Sequence, residues 1–67
     1  MMQNTVREER GRKRLTQQQL ADLIGVSRQT INAIEAGNYV PSTLLSLKLS
    51  QVFEVPINDF FFLKKED

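Results

Sequence analysis

A single glycine, Gly25, separates two short apolar stripes in the first half of this 67-residue chain. Apolar or small residues recur at the spacing of one helix face on both sides of it, namely Leu20, Ala21, Leu23 and Ile24 before the glycine and Val26, Ile31 and Ile34 after it. Glycine adopts the left-handed conformation that ends a helix without the steric cost other residues incur. The pattern therefore predicts two short helices joined by a tight corner.

Cap residues mark where both helices begin and where the second one ends. Thr16 and Gln19 have the spacing of a capping box, in which the hydroxyl accepts from the third amide and the glutamine reaches back to the cap. Ser27 is the expected N-cap of the second helix, and Gly37 is the expected residue after its end. Two helices arranged in this way form a helix-turn-helix, whose second helix can enter a DNA major groove.

The outer face of the second helix carries side chains suited to reading bases. These side chains point away from the apolar stripe and lie near the helix N-terminus: Arg28, Gln29, Asn32 and Ala33. Arginine can pair bidentately with guanine, glutamine and asparagine can do the same with adenine, and a small alkyl group can admit a thymine methyl. Any one of them alone is ordinary solvated surface. Their clustering at the helix end that meets bases favours DNA recognition.

The run from Leu15 to Ser42 resembles the Cro/XRE family of lambda-repressor-like transcriptional regulators. The residues that carry the resemblance are L-T-Q-Q-Q-L-A-x-L-I-G-V-S-R-Q-T-I-x-x-I-E-x-G-x-Y-x-P-S, and the similarity continues through LLSLKLSQVFEVPINDFF. It implies one all-α, five-helix domain over 1–67, with the helix-turn-helix at helices two and three and room for short terminal β-strands. Helices are expected at about 5–13, 17–24, 28–36, 43–53 and 57–61, followed by a dimerisation tail over 60–67.

Several polar residues around the helix-turn-helix are candidate phosphate contacts. Gln17 begins helix two beside amides that have no helical partner. In the family, a glutamine at this place grips the DNA backbone and can brace the first residue of the recognition helix, here Arg28. The other candidates are Gln18, Ser27, Thr30, Asn38, Tyr39 and Arg14. Ser27 and Thr30 could equally be simple cap and surface residues, and Tyr39 could be a buried loop side chain.

Two arginines in the first helix region have structural interpretations. In the family, an arginine at the place of Arg10 pairs with a glutamate near the end of the recognition helix, and this chain has Glu35 there. A surface cation that contacts phosphate is the alternative for Arg10. Many relatives have glycine where Arg14 stands. Either the turn differs slightly in this chain, or Arg14 bears modest backbone strain.

The remaining helices have weaker signals. Thr5 and Glu8 have capping-box spacing at the start of helix one. Helix four carries so many apolar residues that it is expected to be the central core helix, with Lys48 and Gln51 in solvent.

Phe60 is expected in the core with Ile57. The three apolar residues that follow cannot all be hidden in so small a chain, and they are the predicted homodimer interface: Phe61, Phe62 and Leu63.

The composition narrows the function classes further. The net charge is +1, but five cations and one anion lie between Arg10 and Ile34, against two cations and four anions from Leu49 to the end. This distribution would orient the domain so that the cationic region between Arg10 and Ile34 faces DNA phosphates. The chain contains neither Cys nor His. We therefore expect no disulfide, metal or cofactor, and no nucleophile–base pair of an enzyme.

The sequence therefore favours a cytoplasmic, sequence-specific DNA-binding transcriptional regulator, a repressor that acts as a homodimer on an inverted-repeat operator. No apolar run approaches the roughly 18 residues of a membrane span. Neither a membrane nor a small-molecule ligand is expected as a partner. The alternative is an antitoxin or protein-interaction module built on the same scaffold, and the apolar tail permits it.

Overall fold

The elements of the fold are four α-helices, one 3₁₀ turn and a two-stranded antiparallel sheet, in a computed structural model that describes residues 2–63. In chain order they are β1 (Met2–Asn4), α1 (Val6–Arg12), α2 (Gln17–Ile24), α3 (Arg28–Glu35), α4 (Thr43–Phe53), the 3₁₀ turn (Ile57–Asp59) and β2 (Phe61–Leu63). Helices α2 and α3 pack on each other and form the predicted helix-turn-helix. Residues 64–67 of the predicted tail lie outside the described residues.

The predicted fifth helix is wrong. The segment after Pro56 makes only one 3₁₀ turn, closed where the amide of Phe60 donates to the carbonyl of Ile57 at 3.0 Å. The next residue, Phe61, already belongs to β2, which pairs with β1 in a register that sets Phe61 opposite Asn4. The short terminal strands that the resemblance allowed are therefore present. Consecutive aromatic residues favour the extended strand, since strand geometry sends neighbouring side chains to opposite faces.

Local capping signals fix the helix-turn-helix as the sequence predicted. The hydroxyl of Thr16 accepts from the amide of Gln19 at 3.0 Å, and the Gln19 side chain accepts from the Thr16 amide at 2.8 Å. Ser27 caps α3 by accepting from the amide of Thr30 at 3.2 Å. Gly25 ends α2 with φ 77°, the left-handed conformation that turns the chain into α3.

The capping box predicted for Thr5 and Glu8 is wrong. Thr5 makes no side-chain cap bond, and its hydroxyl instead lies 3.4 Å from the carbonyl oxygen of Asp59. The amide of Val6 donates to Oδ1 of Asn4 at 3.1 Å, so the preceding strand residue supplies the acceptor. Pairing of β1 with β2 draws Thr5 toward the 3₁₀ turn, where its own amide donates to the Phe60 carbonyl at 2.9 Å.

Arg14 occupies the position that glycine holds in many relatives and adopts the glycine-like conformation, with φ 58°. The amide of Arg14 donates to Gly11 at 3.0 Å and that of Leu15 to Arg10 at 3.1 Å, the two bonds of a Schellman motif. The turn is therefore the ordinary helix end, and Arg14 carries the strain of a left-handed non-glycine residue. Glu54, at the end of α4, is also left-handed with φ 59°, but its amide donates to the Ser50 carbonyl at 2.8 Å.

The core lies between the helices and the inner face of the sheet. Its buried members come from every helix and from the C-terminal segment: Val6, Leu20, Ala21, Ile24, Ile31, Ile34, Leu45, Leu49, Phe53, Phe60 and Phe61. The ring of Phe60 packs edge-on against Phe53, with centroids 5.2 Å apart, and against Phe61 at 5.0 Å. Phe61 is only 7% exposed, so its assignment to a dimer interface is wrong. The packing of Phe60 against Phe53 could not be predicted from the sequence, because Phe53 lies on another element, α4.

The prediction that helix α4 belongs to the core is confirmed, with Lys48 and Gln51 exposed as expected, but the core covers only one face of the helix. One stripe of it, formed by Leu45, Leu49 and Phe53, is buried. Leu44 and Leu47 are 65% and 51% exposed. A fold this small has too few layers to cover a helix on all sides, so α4 presents two leucines to solvent.

An ion pair fastens α1 to the end of α3. Nε of Arg10 donates to Oε2 of Glu35 at 2.7 Å, and Nη2 donates to Oε1 at 3.2 Å. The side chains are only 17% and 6% exposed, so the pair that the resemblance implied is present, and it is partly buried and bidentate. Arg10 is therefore not a surface cation. The hydrogen bond to Glu35 raises the pKa of the Arg10 guanidinium above its ordinary value.

Gly11→Ala and Gly25→Ala form a matched pair, because a Cβ added at either position meets no atom within 4 Å. Gly11 lies inside α1, where alanine is favoured over glycine by up to about 1 kcal/mol. Left-handed Gly25 would force roughly 1–2 kcal/mol of strain on alanine. We expect urea denaturation to show a higher free energy of unfolding for the first variant and a lower one for the second. A higher free energy of unfolding for Gly25→Ala would contradict the left-handed conformation of Gly25, and a lower one for Gly11→Ala would contradict the helical conformation of Gly11.

Arg10→Met is expected to lower the free energy of unfolding by roughly 3 kcal/mol, because it leaves the Glu35 carboxylate buried without its cation. The double variant Arg10→Met/Glu35→Leu removes both charges and should recover much of that loss. Urea denaturation of the single and double variants measures the coupling. Purely additive losses would show that the two side chains do not act as a pair.

Candidate nucleic-acid interface

Helix α3 divides its surface between core and solvent. Ile31 and Ile34 are fully buried, whereas Arg28, Gln29 and Asn32 are exposed. Ala33, the fourth predicted base reader, is half-buried. The structure thus places all four on the outer side of the helix, away from the isoleucine stripe.

An open groove of about 660 Å³ adjoins this surface and brings α1, α2 and α3 together. It is lined by Arg7, Arg10, Thr16, Gln17, Gln18, Arg28, Asn32, Glu35 and Ala36. Two predicted phosphate contacts from α2 therefore share one groove with two predicted base readers from α3. The first turn of α2, with its free amides, lies at this groove.

Gln17 connects the elements that line the groove. Its Nε2 donates to Oε1 of Glu35 at 3.1 Å and to Oδ1 of Asn32 at 3.3 Å. Its Oε1 accepts from Nη1 of Arg28 at 3.3 Å. One amide side chain therefore contacts an ion-pair residue and two predicted base readers. The neighbouring Gln18 instead donates along the surface of α2 to Oδ1 of Asp22 at 2.9 Å.

Arg7 is a candidate functional residue that the sequence analysis did not single out. It is exposed on α1 and lines the same groove as Gln17 and Arg28. The available signal was its spacing, since Arg7 precedes Arg10 by three residues and the two share a helix face. Arg7 extends the basic edge of the groove.

The remaining predicted phosphate contacts flank α3. Ser27 and Thr30 lie at its N-terminus with their hydroxyl oxygens 3.0 Å apart, so each already has a hydrogen-bond partner in the cap. Asn38 and Tyr39 follow its C-terminus and are exposed. Tyr39 is 46% exposed, so the alternative of a buried loop tyrosine is wrong. The amide of Asn38 donates to the Ala33 carbonyl at 2.9 Å, which holds this loop against the helix.

Three of the four cations between Arg10 and Arg14 form salt bridges. Besides Arg10, Arg12 pairs with Glu9 at 2.6 Å and Lys13 pairs with Glu54 at 2.9 Å. The hydrogen bond from Lys13 lowers the pKa of the Glu54 carboxyl below its usual value. Arg14, Arg28 and the newly identified Arg7 are further exposed cations. The positive surface is therefore smaller than the count of cations along the sequence predicted.

The described residues, 2–63, hold no group of three or more acidic side chains that could bind a metal ion. Among the helices of that range, none combines the length and the apolar character needed to cross a membrane.

Comparisons with known proteins agree with this geometry. A family model described as helix-turn-helix matches residues 6–60. The chain is 46% identical over 66 residues to the uncharacterized HTH-type transcriptional regulator YgzD of Bacillus subtilis, with 98% of this chain and 100% of that protein covered. It is 44% identical, over the same shares, to the uncharacterized HTH-type transcriptional regulator MJ0272 of Methanocaldococcus jannaschii.

A solved structure has the same fold. The crystal structure of the restriction-modification controller protein C.AhdI from Aeromonas hydrophila matches with a TM-score of 0.73 and 31% identity, covering 81% of this chain and 82% of that one. The family model spans both helices of the corner as well as the segments that pack on them. The chain belongs to the Cro/C1-type helix-turn-helix family.

Proposed function

We propose that this protein is a sequence-specific DNA-binding regulator of transcription that binds an inverted-repeat operator as a homodimer. The observation that carries the proposal is the outer face of α3, where Arg28, Gln29 and Asn32 are exposed while the opposite stripe is buried. A helix that presents forked and amide side chains near its N-terminus matches the hydrogen-bonding edges of the major groove. The names of the relatives as transcriptional regulators agree with this role.

Within that proposal the polar residues divide into two groups. Base edges are read by Arg28, Gln29, Asn32 and Ala33. Phosphates are held by Gln17, Gln18, Ser27, Thr30, Asn38, Tyr39 and Arg14, with Arg7 as an addition from the groove. Phosphate contacts set the register of the protein on the duplex, whereas base contacts decide between sequences.

The homodimer is proposed to form through the exposed part of the C-terminal strand. Phe62 and Leu63 are 39% and 69% exposed. Within the described residues β2 pairs on one side only, with β1, so an apolar strand edge is available to a second copy. One copy measures 34 × 22 × 21 Å. The half-sites of an inverted-repeat operator are then expected about 34 Å apart, one turn of DNA.

Repression is the proposed outcome of binding. A small protein that occupies an operator overlapping a promoter excludes polymerase by its volume alone and needs no further surface. A reporter gene under a promoter that contains the selected operator should therefore be silenced when the protein is expressed. An increase in reporter output would overturn this part of the proposal.

Arg28→Ala and Asn38→Ala are expected to affect DNA binding in different ways. Loss of the Arg28 guanidinium should reduce the free energy of DNA binding by roughly 1–3 kcal/mol and relax the preference at one base pair. Loss of a phosphate contact at Asn38 should weaken binding to all DNA sequences alike. Selection of bound sequences from random DNA, followed by affinity measurements on the selected operator, separates the two effects. If both variants lost affinity uniformly, the division of roles would be wrong.

The double variant Phe62→Ser/Leu63→Ser is expected to be a monomer with the chain mass of 7.7 kDa, while the wild type has twice that mass. Leu44→Ser/Leu47→Ser is the matched control, because it removes a similarly exposed apolar pair from α4. Sedimentation equilibrium and circular dichroism on all three proteins test assembly and folding together. Dissociation of the α4 variant alone would place the interface on α4 and reject the strand edge.

A further inference from the structure

We infer that Gln17 is a specificity-positioning residue, which turns Asn32 so that its N–H donors rather than its carbonyl oxygen face the DNA base edge. The inference rests on the proposed function, because it concerns how a base reader is presented. It differs from the bidentate contact with adenine, which requires one donor and one acceptor from the asparagine.

Two charged neighbours fix the direction of the Gln17 amide. The Glu35 carboxylate can only accept hydrogen bonds, and it lies 3.1 Å from Nε2 of Gln17. The Arg28 guanidinium can only donate, and it lies 3.3 Å from Oε1. Reversing the amide would set two donors against each other on one side and two acceptors on the other. Only one orientation of Gln17 therefore satisfies both neighbours.

The ion pair keeps the acceptor in place. Oε1 of Glu35, the atom that accepts from Gln17, also accepts from Nη2 of Arg10 at 3.2 Å, while Oε2 accepts from Nε at 2.7 Å. The Glu35 side chain is only 6% exposed and cannot swing into solvent without leaving its cation buried. The orientation of Gln17 is therefore anchored on α1 and on the end of α3, outside the base-reading surface itself.

The fixed amide has a consequence for Asn32. Nε2 of Gln17 is a donor, so the atom of Asn32 that lies 3.3 Å away must be the acceptor Oδ1. With Oδ1 directed toward Gln17, the Nδ2 group is the free end of this exposed side chain. An N–H donor that faces the major groove can donate to N7 of either purine, to O6 of guanine or to O4 of thymine, so it does not favour adenine over guanine, and it disfavours the donor edge of cytosine.

Gln17→Met tests the inference, because methionine keeps the length of the side chain and removes both polar ends of the amide. Released from Gln17, Asn32 can form the bidentate contact, so the adenine-to-guanine ratio at its base pair should rise at least about fivefold. The base pair is identified beforehand as the one whose preference disappears in Asn32→Ala. Selection of bound sequences from random double-stranded DNA gives the ratios.

Gln18→Met is the matched control. Gln18 is the adjacent first-turn glutamine and donates to Asp22 instead of to a base reader. It should leave the adenine-to-guanine ratio unchanged, although both variants can lower affinity uniformly by loss of a phosphate contact. In the free proteins, NMR should show a shift of the Asn32 side-chain amide resonances in Gln17→Met and none in Gln18→Met.

The possible failures are distinguishable. If Asn32→Ala changes no base preference, Asn32 is not a reader and that part of the proposed function fails. If Asn32→Ala removes a preference but Gln17→Met lowers affinity equally for all sequences, Gln17 is a phosphate contact only and the present inference is overturned. A wild-type protein that already selects adenine over guanine strongly at that base pair would overturn it as well.

Discussion

The bidentate contact between Arg10 and Glu35 joins α1, the α-helix with the fewest buried residues, to α3, the proposed recognition helix. Helix α1 contributes one buried residue, Val6, and burial of one such side chain is worth only about 2 kcal/mol. Polar contacts must therefore hold α1 in place. The ion pair is reinforced by Nδ2 of Asn4, which donates to the Ile34 carbonyl at 2.9 Å. Both contacts end on the last turn of α3, so the support of α1 and the placement of α3 depend on the same bonds.

The signals that were readable in the sequence are those whose cause is local. The capping box at Thr16 and Gln19, the cap at Ser27 and the left-handed Gly25 each depend on residues within one turn, and the structure contains all of them. The helical period of the two isoleucines in α3 likewise determined which face is outward. The predicted bounds of α2, 17–24, followed from these signals, and the predicted bounds of α4, 43–53, also agree with the structure.

The errors have long-range causes. Thr5 does not cap α1, and residues 57–61 do not form a helix, because β1 and β2 pair across the chain and the extended backbone replaces both local choices. Burial of Phe61 and exposure of Leu44 depend on which side of each element the small core occupies. The hydrogen bond from Gln17 to Asn32 depends on the crossing of two helices. A sequence pattern does not predict the relative position of α2 and α3 accurately enough to identify a hydrogen bond between their side chains.

The sheet has a consequence for how the fold assembles. Met2 lies opposite Leu63, so the pairing joins positions about sixty residues apart. The helical contacts close much shorter loops, and closure of a long loop gains little until the intervening chain is compact. Strands β1 and β2 should therefore pair last during folding and separate first during unfolding. An optical or spin label pair on these two strands would report the opening of the structure before its helical signal declines.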